Sequence, residues 1–260
     1  MSKQQYLLSG VASAMAFALF ASSVASFAQA SDRTAFIQKP EQRVTARQVA
    51  ILLDRAHYND QRLDESMSQV ILQQYFDKLD PNRTLLLQSD VDEFISKYGK
   101  TYAAYLIRGD LTPGIEIFER FRTRSFEYFK AAKAHLATDI DLYTNKSIIL
   151  DREKAPRFRS KKEQLEYWKN QTTLSLITIM INQDSDKAKD QVYLQNPELA
   201  RGQDLVKAES RTPKEILLNR IKRQEEQLER LKNDEVMESI LDAAAIAYDP
   251  HSNYYAPIQA

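Results

Sequence analysis

The chain has 260 residues, with 36 Lys or Arg against 36 Asp or Glu, so its formal net charge at pH 7 is zero. This balance argues against a nucleic-acid-binding protein, which would show a clustered basic face, and against a polybasic membrane-binding patch. The chain contains no cysteine and only 5 glycines. These counts exclude a disulfide framework and are too low for a β-barrel, a β-sandwich or a Gly-rich phosphate loop, so an all-α protein with an apolar core is expected.

The first thirty residues have the pattern of a cleavable secretory signal peptide. Lys3 precedes an apolar stretch over 6–20, and Ala28-Gln29-Ala30 fits the A-x-A cleavage site. A membrane anchor is the weaker interpretation, because the apolar stretch is shorter than the roughly 20 residues that cross a bilayer. A lipoprotein anchor is excluded, since no cysteine follows. We expect cleavage between Ala30 and Ser31 and export from the cytoplasm.

The first predicted helix follows a polar lead-in at 31–43, which contains Pro40 and which we expect to be flexible. The run from Thr45 to Gln48 matches a capping box, in which a hydroxyl and an amide satisfy free backbone N–H groups where a helix starts. This motif predicts a helix that begins at Thr45 and ends near His57.

A second helix is predicted from Asp64 to Leu79, because apolar residues recur there every three or four positions. Asp80-Pro81 ends it, since the residue before a proline is pushed out of the α region. The short apolar run Leu85–Leu87 predicts neither helix nor strand. The positions of this helix expected to face the core are Met67, Val70, Ile71, Tyr75 and Leu79.

Two further helices are predicted in the middle of the chain. Ser89 is expected to cap one of them, which weakens toward Leu106 and is broken at Gly109-Asp110. Thr112-Pro113 supplies an N-cap followed by proline at the first helical position, and predicts a long helix that reaches Leu136. Aromatic residues fall at helical spacing in this region, which favours core packing over a ligand cage: Tyr75, Phe76, Phe94, Phe118, Phe121, Phe129 and Trp168.

The second half of the chain is predicted to be helical after a long loop at 137–159, with one extended piece around 148–150. Ser160 opens a capping box and a helix of about six turns. Residues 183–211 predict a short helix or a mobile link. Thr212 opens another capping box, and Asp234 is expected to cap the last helix, which ends at Asp249-Pro250.

These segments predict an irregular, all-α domain of about six to eight helices over 44–248, followed by a connector at 249–260. The side chains of the last helix that are expected to point inward are Met237, Ile240, Leu241, Ala244 and Tyr248.

Catalytic patterns are weak throughout the chain. His57, His135 and His251 have no second His or Cys at ligand spacing, so we expect them to cap or pack near helix ends rather than bind a metal. The acidic pairs Asp90/Asp92 and Glu225/Glu226 are typical of solvated helix faces. No G-x-S-x-G motif marks a nucleophilic serine. We therefore predict no catalytic residue, no metal site and no cofactor.

Several strings resemble one known family. Five segments closely resemble the N-terminal helical domain of the tail-specific proteases, which are periplasmic carboxy-terminal processing serine peptidases. These segments are 44–58, 74–83, 85–94, 150–156 and 249–257. The motif positions that the resemblance singles out, with a structural role expected for each, are His57, Tyr58, Asp80, Pro81, Arg83, Ser89, Asp90, Asp249, Pro250, His251 and Tyr254.

The resemblance implies a scaffold rather than a complete enzyme. In the family, this domain precedes a PDZ domain that binds the substrate's C-terminus and a peptidase domain with a serine nucleophile and a lysine base. The glycine-containing loop of the PDZ domain and the serine and lysine motifs of the peptidase domain do not occur before Ala260. No residue therefore inherits a catalytic role, and no peptidase activity is expected of the chain alone. We expect a truncated product or one half of a split gene, with Tyr254 and Tyr255 frayed near a free end.

The resemblance also implies a periplasmic location and defines the partners. One expected partner is the remainder of a tail-specific protease, supplied by another chain; the other is a periplasmic adaptor protein. Nucleic acid is not an expected partner, nor is a membrane once the signal peptide is removed. Two alternatives stay open: a free-standing periplasmic interaction module that binds a protease or its adaptor, and an unrelated helical enzyme that uses one of the three histidines.

Overall fold

The computed structural model of the chain describes residues 35–57, 61–195 and 211–256, with the backbone alone described for 187–195. Ala28, Ala30 and Tyr58 lie outside these ranges. The described residues form eight helices and no strand, so the predicted all-α fold is confirmed. The helices are α1 (Pro40–Ala56), α2 (Glu65–Leu79), α3 (Gln88–Tyr98), α4 (Tyr102–Ile107), α5 (Thr112–Leu136), α6 (Lys161–Gln195), α7 (Pro213–Glu229) and α8 (Asn233–Tyr248).

The larger of two apolar cores lies around α2 and α8, which pack against each other. Ile71, Tyr75 and Phe76 of α2 are fully buried there, as is Ile240 of α8. Helices α1, α3, α4 and the first half of α5 close the core from outside. The aromatic residues predicted to pack in the interior do so, with six of the seven buried and Phe121 partly buried.

The second core forms where α5 continues beyond the first. Phe126, Phe129 and Leu136 of α5 pack against Leu176 of α6 and Leu217 of α7. Because α5 is 25 residues long, it spans roughly 37 Å at 1.5 Å per residue and reaches both cores. It is therefore the element that joins them.

Three helix starts differ from the sequence prediction for one physical reason. α1 begins at Pro40, so Thr45 lies inside it and its hydroxyl donates to the Glu41 carbonyl (3.1 Å). Helix α3 begins at Gln88, which leaves Ser89 exposed within its first turn, and α8 begins one residue before Asp234. The predicted caps were wrong, and so was the flexible lead-in over 40–43.

At each of these helices, a side-chain oxygen in the first turn accepts a hydrogen bond from the backbone N–H of the N-cap residue. Gln42 accepts from the backbone N–H of Lys39 (2.8 Å), Asp90 from that of Leu87 (3.0 Å), and Glu235 from that of Lys232 (2.8 Å). A carboxylate or amide at the third helical position can reach back without any Ser or Thr at the N-cap. A search for Ser, Thr or Asp at the N-cap therefore places these three caps two to six residues too late in the chain.

Helix α6 is longer than predicted. It runs for 35 residues and ends at Gln195, inside the charged segment 183–211 that was expected to be a short helix or a link. Ser160 accepts from the Glu163 N–H at its start (3.2 Å). The predicted capping box at Thr212 is confirmed in both directions. The long loop before α6 is also confirmed, but its residues 148–150 form no strand. No helix of the described residues is long and apolar enough to cross a membrane.

Of the positions of α2 predicted to face the core, Met67, Ile71 and Tyr75 are buried and Leu79 is partly buried, so one of the five is wrong. Val70 is 49% exposed, and Leu72 is fully buried instead. All five side chains predicted to point inward from α8 are buried. Gly114 of α5 explains why α8 approaches so closely, because a Cβ at this position would lie 2.7 Å from side-chain carbons of Ile240.

Candidate functional site

The turn that follows α2 is held by a buried carboxylate. Asp80 is 2% exposed, and its oxygens accept the backbone N–H groups of Thr84, Leu85 and Leu86 at 2.8 to 3.1 Å. Arg157 donates to the same carboxylate. Burial raises the pKa of Asp80, against the opposing effects of Arg157 and the three N–H groups. We call this group the Asp80 node.

The residues between Asp80 and Thr84 form a tight turn. The Arg83 N–H donates to the Asp80 carbonyl (3.0 Å), and Pro81 occupies the position of a turn where a proline φ is already suited. Arg83 has a φ of 53°, and its guanidinium reaches the carbonyl of Ala155 and the carboxylate of Asp77. Asp80, Pro81 and Arg83 therefore act together in folding the chain back between α2 and α3.

A second buried carboxylate joins α3 to α5. Asp90 is 2% exposed and receives Arg124 through two nitrogens (2.8 Å each) and Arg120 through one (2.6 Å). Burial raises the pKa of Asp90, but the hydrogen bonds from Arg124 and Arg120 outweigh it, so this pKa lies below its ordinary value. We call this group the Asp90 node. The prediction that Asp90 and Asp92 share a solvated helix face is therefore wrong for Asp90. Asp92 is exposed and accepts a hydrogen bond from the Gln88 side chain.

The chain leaves α8 through residues 249–256, which we call the exit segment. Asp249 is 5% exposed, and its carboxylate accepts the Ser252 hydroxyl (2.9 Å). The same hydroxyl lies 3.1 Å from Nε2 of His57 at the end of α1. The His57 ring also packs edge-on against Tyr248, with the ring centroids 5.1 Å apart. These contacts attach the exit segment to two helices.

A serine, a histidine and an aspartate therefore meet at the exit segment, but their order does not suit nucleophilic catalysis. In a catalytic triad, the histidine lies between the serine and the carboxylate, so that it can take the serine proton while the carboxylate orients it. Here Ser252 lies between His57 and Asp249. The arrangement closes the turn after α8, with the Ser252 hydroxyl donating to Asp249 rather than to His57.

The exit segment is held again two residues further on. The Tyr254 N–H donates to the Asp242 carboxylate (3.0 Å), which also pairs with Lys78 of α2. The Tyr254 ring packs against the larger core. The expectation of a frayed Tyr254 was therefore wrong, since it docks on its own domain, whereas Tyr255 is 77% exposed.

The motif positions fall into three places. Asp80, Pro81 and Arg83 form the first turn, Asp90 anchors α3, and His57, Asp249 and Tyr254 meet at the exit segment. Three others make no such contribution: Ser89, Pro250 and His251 are exposed. His135, which was expected to pack near a helix end, lies in the last turn of α5 with Nε2 2.8 Å from the Thr173 hydroxyl. Burial lowers the pKa of His135, and nearby Lys169 lowers it further.

Metal-binding clusters of three or more His, Asp or Glu do not occur among residues 35–57, 61–195 and 211–256. The residues that sequence reasoning missed are the arginines. Arg124 and Arg157 are 8% and 6% exposed, and each neutralises a buried aspartate. No sequence pattern marked Asp80 or Asp90 as buried. The sequence therefore provided no reason to expect a buried arginine beside either of them.

Comparison with known proteins gives one consistent result. A family model described as the tail specific protease N-terminal domain matches residues 49–258. The chain is also similar to the tail-specific protease of Haemophilus influenzae (strain ATCC 51907 / DSM 11121 / KW20 / Rd), with 26% identity over 217 residues. The matched region covers 84% of this chain but 28% of that relative, so the chain corresponds to less than a third of the relative's length.

Proposed function

Because this chain belongs to the tail-specific protease family through the N-terminal domain that residues 49–258 match, we propose that it is the helical scaffold of such a protease. In this role it positions the PDZ and peptidase domains. By itself it cleaves no peptide bond.

The observation that carries this proposal is the fixed exit segment. His57, Asp242 and Tyr254 hold residues 249–256 against α1, α8 and the larger core. A segment held at several points leaves its domain in one direction, whereas a free segment would sample many. A domain attached to such a segment would be oriented by this one.

The outer face of α1 supports the same role. Val44 and Leu52 are 57% and 61% exposed, and Ile51 on the same face is 37% exposed. Exposed apolar side chains that are grouped on one face mark a surface suited to packing against another domain. The same helix contacts the exit segment at its end, through His57.

We further propose that the domain works in the periplasm. The pattern of the first thirty residues, with Lys3, the apolar stretch and Ala28-Gln29-Ala30, is that of a signal peptide. A cysteine-free domain with two apolar cores needs no disulfide for stability in that compartment.

The test is assembly from two chains. The tagged chain is produced in the periplasm together with the PDZ and peptidase part of a tail-specific protease as a separate polypeptide, in cells that lack other proteases of the family. We expect the two chains to copurify, and a peptide with an apolar C-terminus to be cleaved by the pair and not by this chain alone.

A matched pair of variants locates the contact. Leu52→Asp places a charge on the outer face of α1 and should reduce copurification. Ile181→Asp makes the same change at a position with equal exposure, 62% against 61%, on α6, and should leave it unchanged. The scaffold proposal fails if the two chains do not associate, or if this chain cleaves the peptide by itself.

A further inference from the structure

A cleft lies along α7, away from the outer face of α1 and the exit segment. One part of it is a cavity of about 450 Å³ between α5, α6 and α7, next to the turn after α2. The volume is in the range of pockets that bind small ligands or single large side chains. Its lining includes Phe121, Tyr128, Phe129, Leu228 and Leu231. We call it the apolar cavity.

The polar side chains that line the apolar cavity are uncharged: three carboxamides, and the hydroxyls of Thr84, Ser125 and Tyr128. Gln171 of α6 and Gln224 and Gln227 of α7 line it, and no charged side chain does. A carboxamide offers both N–H donors and a carbonyl acceptor, which is the complement of a peptide group. A hydrocarbon ligand would cover these carboxamides without replacing their hydrogen bonds to water, at a cost in affinity.

A second cavity of about 470 Å³ adjoins the first, with Gln227 and Leu231 in the lining of both. It is charged: Glu226 pairs with Arg230 (3.2 Å), and Glu235 accepts from the Lys232 N–H. Arg223 also lines it and has no ion-pair partner in the part of the chain that the structure describes. Both acids are thus engaged, and the guanidinium of Arg223 is available to a carboxylate.

The two cavities lie side by side along one helix. Residues three or four apart share a helix face, which places Gln224 and Leu228 in one row of α7 and Arg223 and Gln227 in the next. Arg230 and Leu231 follow directly after the helix ends at Glu229. From Arg223 to Glu229, where α7 ends, the helix rises about 9 Å, the length of about three residues of extended chain.

We propose that this cleft binds an extended peptide segment in which a bulky apolar residue lies next to an acidic one. The apolar side chain enters between Phe121, Phe129 and Leu228. The glutamine carboxamides bond to the peptide groups, and the acidic side chain pairs with Arg223. The inference does not depend on the scaffold role, since it concerns this chain alone and a different surface from α1 and the exit segment.

The experiment measures binding of a fluorescent peptide to the purified chain by anisotropy. The probe is a short Gly/Ser peptide with a central Phe-Glu pair, acetylated and amidated so that its termini are neutral. Replacing the Phe by Gly should weaken binding about tenfold or more, because the burial of an aromatic side chain is lost. Replacing the Glu by Gln should weaken it about threefold, as expected for an exposed ion pair.

Variants of the chain test the same contacts from the other side. Arg223→Gln should weaken binding of the Glu probe about threefold and remove the difference between the Glu and Gln probes. Lys222→Gln removes an equal charge from the neighbouring position, outside both cavities, and should change nothing. Gln227→Ala should weaken both probes alike. All three residues are exposed, so circular dichroism should show an unchanged fold.

Four results would overturn the proposal. These are no saturable binding of the Phe-Glu probe at millimolar concentration, equal binding of the Glu and Gln probes to the unaltered chain, equal losses with Arg223→Gln and Lys222→Gln, and binding only by peptides with a free C-terminal carboxylate. None of them bears on the two-chain assembly test, so failure here leaves the scaffold role standing.

Discussion

At the scale of single residues, two buried aspartates bind segments that are distant in the chain. Asp80 is joined to Arg157 and Asp90 to Arg124, and in each case both members of the pair lie largely out of water. Burying two charges stabilises a fold only slightly, but removing one partner leaves the other uncompensated, which costs much more. Both nodes therefore act chiefly by specifying which segments meet.

The Asp90 node gives a sharp prediction. Asp90→Asn removes the charge that faces Arg124 and Arg120 and should lower the free energy of unfolding at pH 7 by about 3 kcal/mol, since two partly buried guanidinium groups lose their partner. Asp92→Asn changes an exposed residue of the same helix and should cost less than about 0.5 kcal/mol. Urea unfolding followed by circular dichroism measures both; equal effects would contradict a special role for Asp90.

The cost of Asp90→Asn should also depend on pH. The pKa of Asp90 in the folded chain is below its ordinary value, so its ionised form contributes stability above the unfolded pKa of about 3.9, and this contribution is lost as the pH falls through the folded pKa. The stability difference between the unaltered chain and Asp90→Asn should be constant from pH 7 to 5 and shrink below about pH 4. A difference that does not change down to pH 3 would contradict it.

At the scale of elements, helix starts were predictable where a Ser or Thr provides the cap. Thr212 does so for α7, and its predicted capping box is present. Thr45 occurs in the same sequence pattern, but Pro40 and Gln42 begin α1 earlier. A capping motif does not show whether the helix begins earlier in the chain. Where α1 begins depends on how its first turn packs against α8, which the local sequence does not contain.

The two threonines can be distinguished by experiment. Thr212→Ala removes the hydroxyl that accepts from Glu215 and should destabilise the chain by about 1 kcal/mol. Thr45→Ala, inside α1, should cost less than about 0.5 kcal/mol, because alanine is the better helix former. Thermal unfolding of both variants measures the difference. If Thr45→Ala costs as much as Thr212→Ala, Thr45 does cap a helix after all.

The close crossing of α5 and α8 leads to a prediction about a pair of residues. Gly114→Ala forces a methyl group against Ile240 and should cost about 1 to 3 kcal/mol. Ile240→Ala alone leaves a cavity and should cost about 2 to 5 kcal/mol. The double variant should be more stable than the sum of the two costs implies, since the new methyl group occupies part of that cavity. Additive costs in urea unfolding would show that the helices move apart instead.

At the scale of the whole molecule, the sequence was sufficient to predict the all-α class and the helices over 65–79 and 112–136, because their periodicity is strong. It could not predict two cores. The apolar stripe of α5 is continuous from Phe118 to Leu136. Its first half packs against α8 and its second half against α6 and α7, and this division is set by tertiary packing rather than by the sequence of α5. The buried arginines were missed for the same reason.

The two cores should differ in stability. The second is smaller, built from α6, α7 and the second half of α5, whereas the first contains α2 and α8 with several fully buried side chains. Local unfolding follows the amount of buried apolar contact. Native-state hydrogen exchange should therefore show α6 and α7 opening at a lower free energy than α2 and α8.

A pair of cavity-forming variants tests whether the two cores unfold separately. Leu176→Ala in the second core should lower the free energy of opening of α6 and α7 by about 2 to 5 kcal/mol and leave that of α2 and α8 nearly unchanged. Ile71→Ala in the first core should lower protection throughout, because α5 loses its support when that core opens. If Leu176→Ala lowers protection equally in α2 and α7, the cores form one cooperative unit, and α5 transmits the loss of either core to the other.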